Sequence, residues 1–498
     1  MGLFSKEKEI QEEKITTRDF YFGTVEAEGE NKKGLSLVDY FEDYLGILRD
    51  MDQERFIFVG RKGTGKSAIA KYLKDRSDKE NNSFAAILKM SDFSKEKVIQ
   101  NSEENISCEM IFEWLILVNL TKLIVKSNSS KYTNEYTKLK DFLGRNTGSV
   151  DIDKLEINEK IISQGVNFDV LKHIPFCKTL IENKFGKKLT KAPFYKMIDP
   201  LKDILKKILS FQDSKDNEFW LMFDDLDVNY KINDETSNDT IMNLLRIVKE
   251  YNTNILNEAN VKILVFIRKD IKDIIVSKYN DSAKLFNSYS ININWYTEEN
   301  DENDIPLKRM INKRIGLNFK EKQLEYDKTN PWNSLFYNSY ADKPSFKYVL
   351  DLTFYRPRDV ITFLSEVTKC AFDWPISETN FNKIVNNYLK TNFDEISSEL
   401  SLYFNDKDKD KLFEIFRLIA KHGRKYTRQE VGKKLVNLDC KLQSDKIVDL
   451  LLDYGLLMFC EDNGKVRISY REQDLSRYAS KNLYIALTKS LYYYYKDI

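Results

Sequence analysis

Phe56-Ile57-Phe58-Val59-Gly60-Arg61-Lys62-Gly63-Thr64-Gly65-Lys66-Ser67-Ala68 carries the sharpest structural signal in this chain. Four consecutive apolar, β-prone residues suit a strand covered on both faces, and the run stops at Gly60. Behind it, Gly60 to Ser67 matches in full the pattern of a phosphate-binding loop, with a helical stretch from Ala68 to Leu73 beyond. The residue types follow from the chemistry. Glycines permit positive φ and close backbone approach, so successive N–H groups converge on phosphate oxygens at the positive end of a helix. On that pattern Gly60, Lys62, Gly63, Thr64, Gly65, Lys66, Ser67 and Ala68 line a nucleotide. Lys66 reaches the β and γ phosphates, and the Ser67 hydroxyl ligates magnesium.

Working outward, comparable apolar runs recur at Phe84–Leu88, Phe219–Phe223 and Val261–Ile267, with a weaker one at Tyr289–Ile293. Helical periodicity marks Leu35–Leu48, Met197–Leu209 and Ile241–Tyr251. Short buried strands alternating with helices predict an α/β core with a parallel sheet. Residues 95–210 exceed what one crossover needs and read as a helical insertion, with Ser127–Lys131 and Arg145–Val150 as exposed loops.

Two further strand ends carry polar residues to the same sheet edge. Trp220-Leu221-Met222-Phe223-Asp224-Asp225-Leu226-Asp227 is an apolar strand ending in carboxylates, the form of a Walker B element; a solvated acidic turn is the plainer reading. Asp224 then holds magnesium, directly or through water. Ile263-Leu264-Val265-Phe266-Ile267-Arg268 ends in an arginine placed either as a γ-phosphate sensor or in an ion pair with Asp270 or a Walker B acid.

From Leu307 to Lys390 the pattern is helical throughout, and Tyr355-Arg356-Pro357-Arg358-Asp359-Val360 opens one helix with proline at its entry. Its arginines suit either a lid that reaches back over the phosphates or a structural role. Alternating Lys and Asp at Asp406–Lys411 read as a solvated linker. Beyond it come a helix at Leu412–Ala420, a second opened by the capping box Thr427-Arg428-Gln429-Glu430, and a third from Ser444 to Tyr454. Strands at Leu456–Phe459 and Val466–Ser469 flank the turn signal Asp462-Asn463-Gly464. Three helices followed by a hairpin make a winged-helix arrangement. The end, Leu483–Tyr495, reads as a helix packed on its own domain rather than a stacking platform for nucleic acid.

The predicted organisation is an ATPase core over 1–300, a helical lid over 301–400 and a winged-helix domain with a terminal helix over 401–498. Taken together, the glycine-rich loop, the Asp224-Asp225-Leu226-Asp227 strand end, Phe266-Ile267-Arg268-Lys269-Asp270 and Arg356-Pro357-Arg358-Asp359-Val360 resemble bacterial AAA-related and STAND-like P-loop ATPases. Some of these are found near anti-phage defence genes. The resemblance spans roughly residues 20–370 and implies a P-loop NTPase fold using ATP and Mg2+. It carries Lys66, Asp225 and Arg268 over as catalytic residues, Ser67 and Asp224 as metal ligands, and Arg358 as a lid sensor. Asp225 stands where relatives commonly have a Glu that orients the attacking water. No Gly-Leu-Pro-Leu lid motif is present.

Composition narrows the partners. The 498 residues hold 79 Lys+Arg against 78 Asp+Glu, a net charge of +1 that excludes an overall basic footprint. Residues 411–471, however, hold 13 Lys and Arg against 8 Asp and Glu, clustered at Arg424, Lys425, Arg428, Lys433, Lys434, Lys465, Arg467 and Arg471. Phosphate contact is the expectation there, yet the third helix offers Asp445, Asp449 and Asp453 and no arginine for base readout. Five scattered Cys without a CxxC pair and only two His exclude structural zinc and suggest a reduced, cytoplasmic protein. No apolar run approaches the roughly 18 residues a membrane span needs. The expected function is hydrolysis of Mg-ATP driving a conformational or assembly switch. The partner is a second copy, an effector protein, or DNA at the winged helix. The alternative is a nucleotide-gated DNA-binding or partner-recruiting protein with little turnover.

Overall fold

The computed structural model describes residues 14–26, 29, 37–52, 54–89, 107–128, 131, 133–147, 166–167, 171, 191–211, 215–228, 230, 234–257, 259–299, 301–401, 403–422, 425–436, 438, 443–471, 475, 478 and 483–496. They fall into two compact units. Described residues between Glu30 and Asn294 form one; those before Glu30 join Trp295 onward to form the other.

The first unit is built on a five-stranded parallel sheet. Its strands are β1 (Ile57–Gly60), β2 (Ser83–Lys89), β3 (Glu218–Asp224), β4 (Val261–Arg268) and β5 (Ser290–Ile293), in the order β2-β3-β4-β1-β5. All five predicted apolar runs are therefore strands, and the central ones are buried along nearly their whole length. Burial on both faces is why they read as unbroken apolar runs rather than alternations. Register sets where their polar ends emerge. Gly60 pairs with Arg268, and Lys89 pairs with Asp224, so the polar ends of four strands come out on one edge.

Helix α1 (Lys66–Lys79) follows β1, and α2 (Cys108–Ser127) is buried over almost its entire surface against β2 and β3. Next come α3 (Ile198–Leu209), α4 (Glu235–Glu250) and α5 (Lys269–Lys278). Of the predicted insertion over 95–210, α2, a helix at Asn134–Thr147, a two-residue pairing of Val166–Asn167 with Lys191–Ala192 and the whole of α3 lie among the described residues. Residues 95–106 and most of 148–190 lie outside them. Leu35–Leu48 is not one helix. It is broken between Leu37–Tyr40 and Ile47–Asp52, where Gly46 takes φ +67° and Asp43 caps the second piece through the Ile47 and Leu48 amides at 2.7 and 2.8 Å.

The second unit contains α6 (Pro306–Glu321), α7 (Pro357–Thr368) and α8 (Glu378–Leu400). This region is not purely helical, because a small hairpin pairs Ser339–Tyr340 with Lys343–Pro344. Grouping residues 1–300 together also misplaces the start of the chain. Thr17 bonds Phe372 and Cys370 carbonyls, Tyr21 and Asn318 exchange two bonds of 2.6 Å, and Phe20 packs on Phe319 and Trp374.

Asp406–Lys411 is no linker. It is the first turn of α9 (Asp406–His422), where Asp408 is fully buried and Asn405 accepts its amide at 3.0 Å. Helix α10 (Arg428–Leu435) has the expected capping box: Thr427 accepts the Glu430 amide and Glu430 accepts the Thr427 amide at 2.8 Å. Helix α11 (Ser444–Asp453) comes next. The hairpin expected after it is part of a larger antiparallel sheet of β6 (Tyr426–Thr427), β7 (Leu457–Cys460), β8 (Val466–Arg467) and β9 (Tyr484–Leu487), ordered β6-β9-β7-β8. The segment from Leu483 is thus strand first, then α12 (Lys489–Lys496), whose Tyr494 stacks on Phe393 at 4.2 Å within the same unit.

Candidate functional site

The loop between β1 and α1 is shaped by its own backbone. Gly63 and Gly65 sit at φ +81° and +93°, conformations that cost a side-chain-bearing residue. At Gly60 the reason is space: a Cβ there would meet the Thr64 hydroxyl at 2.4 Å. The Arg61 carbonyl gathers three donors, the Thr64 amide at 3.3 Å, the Thr64 hydroxyl at 2.8 Å and the Lys66 ammonium at 3.2 Å. Lys66 also donates to the Gly60 carbonyl at 3.2 Å, so its ammonium is folded back into the loop. Gly65 caps α1, which leaves the first-turn amides of Lys66, Ser67 and Ala68 beyond the reach of intrahelical acceptors.

Behind the loop, β3 delivers Asp224, 4 % exposed, and the Ser67 hydroxyl is among the groups that act on its carboxylate. The two predicted metal ligands are therefore adjacent. Burial pushes the Asp224 carboxyl up to about 6, opposed by the Ser67 hydroxyl and reinforced by the Asp225 charge. Burial likewise pulls the half-buried Lys66 down to about 8, with Asp227 and Asp224 acting against it. A hydroxyl and a carboxylate are the hard oxygen donors magnesium prefers, and that ion takes its other ligands from phosphate and water. The residues present fit it. Among the described residues no group of three or more His, Cys, Asp or Glu converges on a metal position.

Asp225 leaves the strand at φ +56°, and its carboxylate pairs with Lys89 at 3.5 Å. Sequence reading does not single out Lys89. Its only signal is its place at the end of an apolar run, and the pairing of Lys89 with Asp224 in register explains the contact. Arg268 is 8 % exposed and ends β4 beside Gly60. Its Nε and Nη2 bind the two oxygens of Asp270 at 3.0 and 2.5 Å, and its Nη1 binds Asp227 at 3.2 Å. In this geometry Arg268 is ion-paired with both Asp270 and Asp227, the acid in the turn after β3. Lys62 is half-buried in the loop.

The remaining predicted residues belong to the other unit. Arg356 does not present a free guanidinium: it is 5 % exposed, forked onto Asp359 at 2.8–3.1 Å and 3.6 Å from Glu399. Arg358 begins α7 half-buried, with Glu395 among the charges around it. In the C-terminal part, Arg428 is drawn to Asp449 at 2.7 Å and to the Asp445 carbonyl at 3.2 Å. Arg467 pairs with Glu461 at 2.8 Å, and Arg471 with Asp351 at 3.7 Å. Three of the clustered arginines are thereby engaged by the chain's own acids. Lys425, Lys433 and Lys465 remain exposed, and Arg424 lies outside the described residues.

Residues 306–397, from α6 through most of α8, match the family model described as the FunZ-associated C-terminal helical domain. The chain matches no curated protein. No helix among the described residues is long and apolar enough to cross a membrane.

Proposed function

We propose that this chain binds a nucleoside triphosphate, ATP by preference, with magnesium at the β1–α1 loop, and hydrolyses it slowly to drive a change in conformation or assembly. The observation that carries the reading is the meeting of three strand ends at one edge: glycine loop and Lys66 from β1, Asp224 from β3, Arg268 from β4. First-turn amides of α1 supply an anion nest, and Lys66 is available to trade two neutral carbonyls for phosphate oxygens. Ser67 and Asp224 would hold magnesium, whose chemistry is to neutralise charge on the phosphates. Asp225 is the group placed to orient a water against the γ phosphorus. The bond from that phosphorus to the bridging oxygen breaks, and the water's proton passes to the released phosphate or to Asp225.

One observation favours low turnover. Asp225 is a short acid in a left-handed turn and engages Lys89, so its carboxylate must change partner before it can hold a water. On this reading the nucleotide acts chiefly as a switch. We read the second unit as a helical lid over α6–α8, with Arg358 as its sensor, followed by a winged helix over residues 406–496. For that module a protein partner or a second copy suits the geometry better than DNA. The exposed face of α11 is acidic and Arg428 is spent on it. A role in phage defence belongs to the same reading, as the resemblance to P-loop ATPases found near anti-phage defence genes implies.

The test is calorimetric titration of Mg-ATP into wild-type chain and Lys66→Ala, with phosphate release measured alongside. Binding and turnover that both require Lys66 are expected; equal binding by the two proteins overturns the reading.

A further inference from the structure

Asp227 stands three residues beyond Asp224, in the turn after β3. Two of the described acids bind Arg268, and they differ in kind. Asp270 lies in the first turn of α5 and also accepts the Ile271 amide at 3.0 Å, so its carboxylate is fixed by the helix that carries it. Asp227 hangs on a short turn that begins at the positive-φ residue Asp225 and is closed by the Val228 amide on the Asp225 carbonyl at 3.3 Å. Its side chain is 32 % exposed, and the neighbouring Val228 is 59 % exposed. The pair therefore divides Arg268 into a fork held by a helix-anchored partner and an Nη1 edge held from an exposed turn.

That Nη1 edge is the one a phosphate oxygen needs, since the Nε–Nη2 edge is already filled bidentately. Asp227 is also the acid that acts most strongly on Lys66, ahead of Asp224. One carboxylate thus binds one of the two cations that the proposed γ phosphate would use and acts on the other through its charge alone. We infer that Asp227 is an internal competitor for the γ-phosphate position, a carboxylate that a triphosphate must displace from Arg268, while Asp270 is a positioning residue that keeps Arg268 aimed. This rests on the proposed nucleotide binding and deepens it. It makes the site discriminate between triphosphate and diphosphate, because only the former has a group to replace the Asp227 carboxylate.

The two acids then have effects of opposite sign, which simple removal of negative charge near an anion site cannot produce. Full-length chain, Asp227→Asn, Asp270→Asn and Lys66→Ala are titrated with Mg-ATP and with Mg-ADP by calorimetry. Asp227→Asn is expected to bind ATP about tenfold tighter and ADP less than about twofold tighter. Asp270→Asn is expected to bind ATP about tenfold more weakly. Asp227→Ala, read in parallel, must reproduce the ATP gain, which guards against an effect of the amide itself. If Asp227→Asn tightens ATP and ADP equally, or Asp270→Asn also tightens ATP, the competitor role is overturned while the nucleotide reading stands. If wild type and Lys66→Ala behave alike, the nucleotide reading itself has failed and takes this inference with it.

Discussion

Arg268 and Arg356 are the same local device used to different ends. Each is a buried arginine that caps a helix and forks onto an acid in that helix's first turn, Asp270 in α5 and Asp359 in α7. What differs is the rest of the shell. Asp359 is 2 % exposed and also takes the Phe354 amide at 2.8 Å, while the far edge of Arg356 faces Glu399 on the long helix α8. Burial alone would pull the Arg356 guanidinium down, but Asp359 and Glu399 outweigh it and the net shift is upward. Arg268 instead gives its far edge to a turn, beside a lysine and an aspartate that are both displaced toward their neutral forms. Charges that are fully compensated build a joint. Charges that are left in deficit build a site, because something with the missing charge can still improve them.

The contrast breaks most visibly by truncation. Arg356→Ala leaves Asp359 and Glu399 covered without the guanidinium between them, and should lower unfolding free energy by about 3–5 kcal/mol, read as a shift of the denaturant midpoint. Arg268→Ala should cost clearly less, on the order of 1–2 kcal/mol, because its partners Asp227 and Asp270 are about a third and a quarter exposed and can recover water. Equal losses in the two variants would show that Arg268 is as structural as Arg356.

The two regions are not equally legible in the sequence. All five core strands can be read because a sheet covered on both faces needs unbroken apolar runs, and the loop can be read because positive φ selects glycine. Lys66, Ser67, Asp224 and Arg268 reach one edge as expected, since strand ends in a parallel sheet share an edge. Lys89 lies beyond local reading, because its role comes from register rather than from any pattern along the chain, whereas Asp270 is readable as a partner of Arg268 from its place two residues on. The alternating charges of Asp406–Lys411 look like a solvated linker, yet Asp408 turns inward under Asn405 and the stretch opens a helix. Strand β9 is hidden for a different reason. Its partners are the distant strands β6 and β7, so residues such as Tyr484 and Ala486, neither of them buried, carry no local strand signal.

A smaller effect sharpens the deficit at the sheet edge. Lys66→Met removes a charge whose burial is unfavourable while keeping much of its length, so the variant should lose nucleotide binding and gain about 1–2 kcal/mol of stability at pH 7. The folded pKa, about 8, lies below the ordinary 10.5, so the folded chain sheds this proton first. The penalty is complete below about pH 8 and disappears as pH rises toward 10.5. Denaturant midpoints of the two proteins should therefore differ most at neutral pH and converge near pH 10. A destabilised Lys66→Met protein at pH 7 would mean that the bonds to Gly60 and Arg61 outweigh desolvation.

Asp224→Asn probes the same deficit with the opposite sign of charge and the smallest expected change. Its folded pKa, about 6, lies above the ordinary 3.8, so the folded chain holds the proton longer than the unfolded one. The favourable contribution is present in full below about pH 4 and is lost as pH rises through 6. An asparagine is close in size and carries no charge to desolvate, so the variant should match wild type near pH 4 and exceed it by about 1 kcal/mol at pH 7. Magnesium reverses the ranking if Asp224 is a ligand. With Mg-ATP present at pH 7 the wild type should gain thermal stability and the variant should not, because binding to the folded state alone adds to its stability. A variant stabilised by Mg-ATP as much as wild type would move the metal off Asp224, and Arg268 with its two acids would then be a joint like Arg356.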